Sequence, residues 1–146
     1  MITLTINGKE VSVEPGTTIL QAAQQMNIKI PSLCYNKDLP AWASCGICVI
    51  KNVDPRTGRA RMARACCTEC TPGMNIVTND LDLTKARRTV LELILSNHPA
   101  DCLQCNRSGQ CELQDLAADF GLRQAPRFKR ILKNQPVDES YEEIVL

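Results

Sequence analysis

Aromatic residues are nearly missing from this chain: two Phe, two Tyr and one Trp make up 3% of its 146 residues. The core must therefore be built from Ile, Leu, Val, Ala and Met. Net charge is missing too. Seventeen basic residues face sixteen acidic ones, giving +1, so there is no electrostatic case for binding nucleic acid or an anionic membrane. No apolar run approaches the roughly 18 residues needed to span a bilayer. The opening Met-Ile-Thr-Leu-Thr-Ile-Asn-Gly has no basic stretch and no cleavage site, so a signal peptide is not expected and the expected compartment is the cytoplasm. There are no repeats and no low-complexity tract. Signatures of catalysis are absent as well: no paired carboxylates, no Ser-His-Asp set, no P-loop and no GxGxxG. No substrate pocket or catalytic residue is implied.

What the chain has instead is cysteine, nine of them. Disulfides rarely persist in a reducing cytoplasm, and an odd count fits a closed disulfide framework poorly. Dense cysteine then points to metal or redox chemistry. The hydrophobic share of 44% suits a soluble globular protein.

Regular structure is expected first as a β-hairpin. Ile2, Leu4 and Ile6 alternate with threonines, Asn7-Gly8 signals a type I′ turn, and Val11 and Val13 alternate on the return. Glu14-Pro15-Gly16 breaks the strand. A helix follows from Thr18 to Met26, with Thr18 and Gln21 spaced as a capping box and Ile19, Ala22, Ala23 and Met26 as its apolar face. Hairpin then helix is the opening of a β-grasp fold. Short strands are expected at Cys48 to Val53, Arg59 to Ala65 and Asn75 to Thr78, with a turn at residues 54–58. A second helix runs from Leu83 to Asn97, its apolar side formed by Leu83, Ala86, Val90, Leu93 and Ile94, with Lys85, Arg88, Glu92 and Ser96 facing out. Pro99 stops it. A third, from Cys111 to Phe120, ends at Gly121. The expected class is α+β: a β-grasp ferredoxin-like domain over 1–80, a small helical module over 81–121, and an extended tail over 122–146.

Cys34, Cys45, Cys48 and Cys66 have the spacing C-x10-C-x2-C-x17-C. Four thiolates, two per iron, are what a 2Fe-2S cluster requires. A C-x2-C pair on a tight loop brings two sulfurs close together, and Gly46 lets the backbone fold near them. Backbone N–H groups in such a loop can also tune the potential. The plant-type pattern has a first gap of four rather than ten, so spacing alone leaves the assignment open. His98, Cys102, Cys105 and Cys111 follow as H-x3-C-x2-C-x5-C, and four potential ligands this close strongly suggest a metal site. His98 is the only histidine. It stands at a Pro-stopped helix end just before three clustered cysteines.

The stretches Ile30-Pro31-Ser32-Leu33-Cys34-Tyr35, Cys45-Gly46-Ile47-Cys48-Val49, Ala65-Cys66 and Gly73-Met74 resemble a 2Fe-2S domain. That domain opens the large iron–sulfur subunit of respiratory NADH dehydrogenase (complex I), NAD-linked hydrogenases and iron-only hydrogenases. The run from Ser96 to Cys105 and the run from Gly109 to Gln114 resemble a module of the same family, in which one histidine and three cysteines bind a 4Fe-4S cluster. The resemblance covers about residues 1–121 in family order. It implies that Cys34, Cys45, Cys48 and Cys66 hold the first cluster and that His98, Cys102, Cys105 and Cys111 hold the second. Cys66 is named because the family's last ligand stands seven residues before the Gly of a Gly-Met pair. Cys67 and Cys70 have no counterpart in the pattern. They are read as buried small hydrophobes or spare thiols, with a role as alternative ligands left open.

The implied function is electron transfer as a subunit of an NAD(P)-linked oxidoreductase, non-catalytic alone. The implied partners are an FMN-containing subunit that binds NAD(P)H and a small thioredoxin-like 2Fe-2S subunit. Larger relatives continue past a segment like residues 137–145 into a domain with two more 4Fe-4S clusters. A compact two-cluster subunit of a hydrogenase-like or electron-bifurcating complex is therefore expected, and a residual hydrogenase is not. The alternative is a zinc-stabilised interaction module, because three cysteines with one histidine are also a valid zinc set. The basic residues Arg87, Arg88, Arg123, Arg127 and Lys129 read as solvated faces or as a dock for an acidic partner.

Overall fold

The computed structural model describes residues 1–99, 101–122 and 128. The tail read from the sequence over 122–146, with Arg123, Arg127 and Lys129, lies almost wholly outside them.

The chain opens on β1 (Ile2–Ile6) and β2 (Lys9–Val13), paired antiparallel with Leu4 opposite Val11. Asn7 and Gly8 both have positive φ, 51° and 77°, as a type I′ turn demands. Helix α1 (Ile19–Gln25) follows, with Thr18 as its N-cap. The Thr18 hydroxyl accepts from the Gln21 N–H, and the Thr18 N–H donates to Gln21 Oε1 at 2.9 Å, which completes the capping box. After the long loop come β3 (Val49–Val53), β4 (Ala60–Arg64) and β5 (Asn75–Val77). The five strands form one mixed sheet in the order β2-β1-β5-β3-β4. The central pair, β1 and β5, is parallel, and the others are antiparallel. This is the expected α+β, ferredoxin-like arrangement. Ile19, Leu20, Ala22 and Ala23 of α1 meet Leu4, Ile6, Val13, Ile50 and Ile76 of the sheet in the main core. At about 25 cal/mol per Å², burial of such aliphatics is the main stabilising term.

Helix α2 spans Leu81–Asn97, two residues more at its start than the apolar pattern indicated. Asp80 is its N-cap, accepting the Leu83 N–H at 2.8 Å, and Lys51 Nζ clamps Asp80 and Asp82 at 2.7 Å each. The buried face also differs from the sequence reading. Leu83, Arg87, Leu91 and Glu92 are buried, while Leu93 is 48% exposed. The row 83-87-91 repeats every four residues and lies on one side, and Leu93 is about 200° round the helix from Leu91. Glu92 is tolerated inside because the Arg88 Nε lies 3.4 Å from its carboxylate. Charge type alone therefore misassigned it.

A 3-10 turn (Cys102–Gln104) and helix α3 (Glu112–Asp119) complete the described chain. Gly121, at φ 67°, ends α3 in the left-handed conformation. A second core joins the two halves. Ile47, Leu91 and Leu116 are its buried centre, with Leu33, Cys45, Val90, Ile94, Leu113, Phe120 and Leu122 packed around them.

Candidate metal centres

The first candidate site is built by strand register. Val49 on β3 pairs with Arg64 on β4, and the ladder continues one step as the Ala65 N–H donates to the Cys48 carbonyl at 3.0 Å. That step pairs Cys48 with Ala65, and the next residue, Cys66, hydrogen-bonds with Cys48; both cysteines are about 1% exposed. Cys34 and Cys45 come from the irregular loop before β3 and are half-buried. Burial pushes the Cys34 thiol up, but the Cys45 N–H and thiol, together with Ser44, outweigh it and bring Cys34 down to about 7. Cys66 is pushed up to about 12, first by burial, then by its hydrogen bond with Cys48 and by the charges of Cys48, Cys67 and Cys34. The thiols thus associate as two pairs, Cys34 with Cys45 and Cys48 with Cys66. The charges of its neighbours disfavour the Cys66 thiolate. Such crowding is relieved by bound cations, and two pairs of sulfurs suit two irons.

Cys67 and Cys70 lie outside these two pairs. Cys67 is exposed and its Sγ donates to the Arg64 carbonyl at 3.6 Å. Cys70 is 2% exposed within the main core, and burial alone raises its pKa. Cys70 is thus a buried small hydrophobe. Cys67 is not buried.

Gly46 has φ 71°, and a Cβ there would lie 3.7 Å from Val90 of α2, an ordinary contact. The demand for Gly is therefore conformational rather than steric. Gly46→Ala is expected to cost about 1–2 kcal/mol of backbone strain. Its thermal midpoint should fall by roughly 4 °C or more, measured by circular dichroism. A midpoint equal to that of the unsubstituted chain would show that the loop adapts.

The second candidate site sits where α2 ends. His98 is the C-cap in an extended conformation, which turns the chain away before Pro99. Tight turns follow: the Cys105 N–H donates to the Cys102 carbonyl at 3.2 Å and the Ser108 N–H to the Cys105 carbonyl at 3.0 Å. The Gly109 N–H reaches Gln114 Oε1 at 3.2 Å, tying the loop to α3. His98, Cys102, Cys105 and Cys111 all line one cavity of about 350 Å³, walled by Leu95, Leu113 and Ala117. The Arg107 N–H points at Cys105 Sγ, 3.4 Å away, the kind of donor that tunes a ligand sulfur. Four potential donors lining one cavity together with apolar side chains fit a cluster of this ligand set in their chemistry. Among the described residues, no three His, Cys, Asp or Glu side chains close on a single point of the kind one metal ion occupies. A cluster spreads its ligands over several irons and asks for no such point.

Residues 1–80 match the 2Fe-2S iron-sulfur cluster binding domain. The chain belongs to that family. Residues 87–126 match the iron-sulfur binding region of NADH-ubiquinone oxidoreductase-G, a 4Fe-4S region. The chain therefore carries binding regions for one 2Fe-2S and one 4Fe-4S cluster. It is 49% identical over 132 residues to the NADP-reducing hydrogenase subunit HndD of Solidesulfovibrio fructosivorans, covering 86% of this chain and 22% of the relative. It is 35% identical over 120 residues to the mitochondrial NADH-ubiquinone oxidoreductase 78 kDa subunit of Neurospora crassa, covering 82% and 16%. Among solved structures it is similar to a chain of an NAD+-reducing [NiFe]-hydrogenase in the H2-reduced state. That match has a TM-score of 0.79 at 31% identity and covers 96% of this chain and 57% of that one. The chain thus spans less than a quarter of these curated relatives. Its relatives are iron–sulfur subunits of NAD(P)-linked oxidoreductases, which supports electron transfer.

Proposed function

We propose that this chain is a two-cluster electron relay within a larger NAD(P)-linked oxidoreductase of hydrogenase-like or electron-bifurcating type. Cys34, Cys45, Cys48 and Cys66 hold the 2Fe-2S cluster, and His98, Cys102, Cys105 and Cys111 hold the 4Fe-4S cluster. When bound, the clusters supply reversible one-electron chemistry, and the protein supplies ligands, burial and spacing. Residues 1–80, 81–121 and 122–146 act as the first cluster domain, the second cluster module and a tail. Electrons pass between an FMN-containing subunit that binds NAD(P)H and a further redox subunit, one candidate being a small thioredoxin-like 2Fe-2S protein. The cytoplasm is the proposed compartment.

The observation that carries this reading is the shared core. Val90 of α2 packs with Cys45 and Ile47 of the first site, and the same helix ends on His98 of the second. Eight residues of helix, a rise of about 12 Å, separate Val90 from His98. Two sites held on one helix suit transfer between them without movement of the chain. Among the described residues no helix is long and apolar enough to cross a membrane.

The test is anaerobic purification with its co-purifying proteins. Roughly six irons and six sulfides per chain and two distinct spin-resonance signals on reduction are expected. Reduction by NAD(P)H should require the flavin-bearing partner. Stoichiometric zinc with neither iron nor sulfide would favour the interaction-module reading instead.

A further inference from the structure

Arg87 and Arg88 read alike in the sequence, but the fold separates them. Arg88 stays half-exposed, whereas Arg87 is 4% exposed. The Arg87 Nη2 donates to the Val49 carbonyl and to the Thr78 carbonyl, 2.7 Å each. Val49 directly follows Cys48 and Thr78 directly follows β5, so this one side chain ties α2 to the edge of the first site. Its Nε is buried with no hydrogen-bond partner. Among the described residues no carboxylate forms an ion pair with it, and Asp80, whose charge reaches it, is held by Lys51 at 2.7 Å. Burial lowers its pKa, and the charges on Cys48 and Asp80 restore it in part. Arginine nevertheless stays charged, and a buried cation with no ion-paired carboxylate is expensive.

We propose that the ion-pair partner Arg87 lacks among the described residues is the 2Fe-2S cluster held through Cys48, so that Arg87 is a positioning residue that raises this cluster's reduction potential. The inference rests on the first site holding that cluster. Two ferric ions, two sulfides and four thiolates sum to a dianion, and reduction adds a further negative charge. A fixed cation nearby therefore favours the reduced form. Arginine suits the role because its charge does not titrate and its planar fork is held by two carbonyls.

The test uses the full chain with both clusters loaded anaerobically, titrated against mediators and followed by spin resonance. In Arg87→Gln the reduced-to-oxidised ratio of the 2Fe-2S signal at fixed potential should fall at least tenfold, a 59 mV drop in midpoint. Arg87→Lys, which keeps the charge, should stay within threefold of the unsubstituted chain. The 4Fe-4S signal should stay within threefold in both. Failure of Arg87→Gln to take up the 2Fe-2S cluster while Arg87→Lys takes it up would also support a need for charge. An unmoved 2Fe-2S midpoint in Arg87→Gln, equal shifts in both variants, or loss of folding in both would overturn the proposal and leave Arg87 a structural tie. A parent chain with neither iron nor sulfide would overturn the electron-relay reading itself, which separates the two failures.

Discussion

Cys66→Ala is expected to abolish the 2Fe-2S spin-resonance signal and remove about two of about six irons, leaving the 4Fe-4S signal in place. Cys67→Ala and Cys70→Ala should keep both signals. These three thiols lie within five residues, and the sequence offers each as the fourth ligand of the first site. The fold separates them. The ladder between β3 and β4 runs on from Val49–Arg64 to the Ala65 N–H and the Cys48 carbonyl, and the next residue, Cys66, turns to hydrogen-bond with Cys48. Cys67 turns outward to the Arg64 carbonyl, and Cys70 turns into the main core. Cys70→Ala should cost on the order of 1 kcal/mol for the lost sulfur, without loss of iron. Iron and sulfide analysis with spin resonance checks all three. A retained 2Fe-2S signal in Cys66→Ala combined with its loss in Cys67→Ala would transfer the role to Cys67.

His98→Cys is expected to keep the 4Fe-4S cluster but lower its midpoint, on the order of 100 mV, while His98→Ala loses iron from that site. The reason is charge. A neutral imidazole donates no net negative charge to the cluster, whereas a thiolate does, and added negative charge disfavours the reduced state. The position makes the comparison clean. His98 caps α2 in an extended conformation and faces the same cavity as Cys102, Cys105 and Cys111, so a shorter donor at that position meets the same surroundings. The 2Fe-2S midpoint should not move in either variant. An unchanged 4Fe-4S midpoint in His98→Cys would remove His98 from the ligand set, and full iron content in His98→Ala would do the same.

Much of this was legible in the order of residues. Asn7-Gly8 announces a I′ hairpin because few pairs accept two positive φ angles, and the observed angles are 51° and 77°. Thr18 and Gln21 announce a capping box because their spacing satisfies two backbone donors at once. The eight candidate ligands could be grouped four and four by spacing and resemblance; in the structure Cys34 hydrogen-bonds with Cys45 and Cys66 with Cys48, and the second four line one cavity. Less was legible on α2. The Asp80 cap was passed over because the apolar period begins only at Leu83. The burial of Arg87 and Glu92 ran against charge type, since partners distant in sequence or a turn away satisfy them: two carbonyls for Arg87, and Arg88 for Glu92.

Local chemistry needs only neighbours in sequence, so the chain by itself determined its hairpin, the Thr18 cap, its helix stops and the spacing of its cysteines and single histidine. Relations across the fold depend on which surfaces pack together, and only the tertiary structure decided those. It set Cys66 beside Cys48, turned Cys67 outward and put Cys70 into the main core. It welded both sites to α2 through Ile47, Leu91 and Leu116. It also carried one arginine of an adjacent pair into the interior beside Cys48, because that arginine's row of the helix, and not its neighbour's, faces β3.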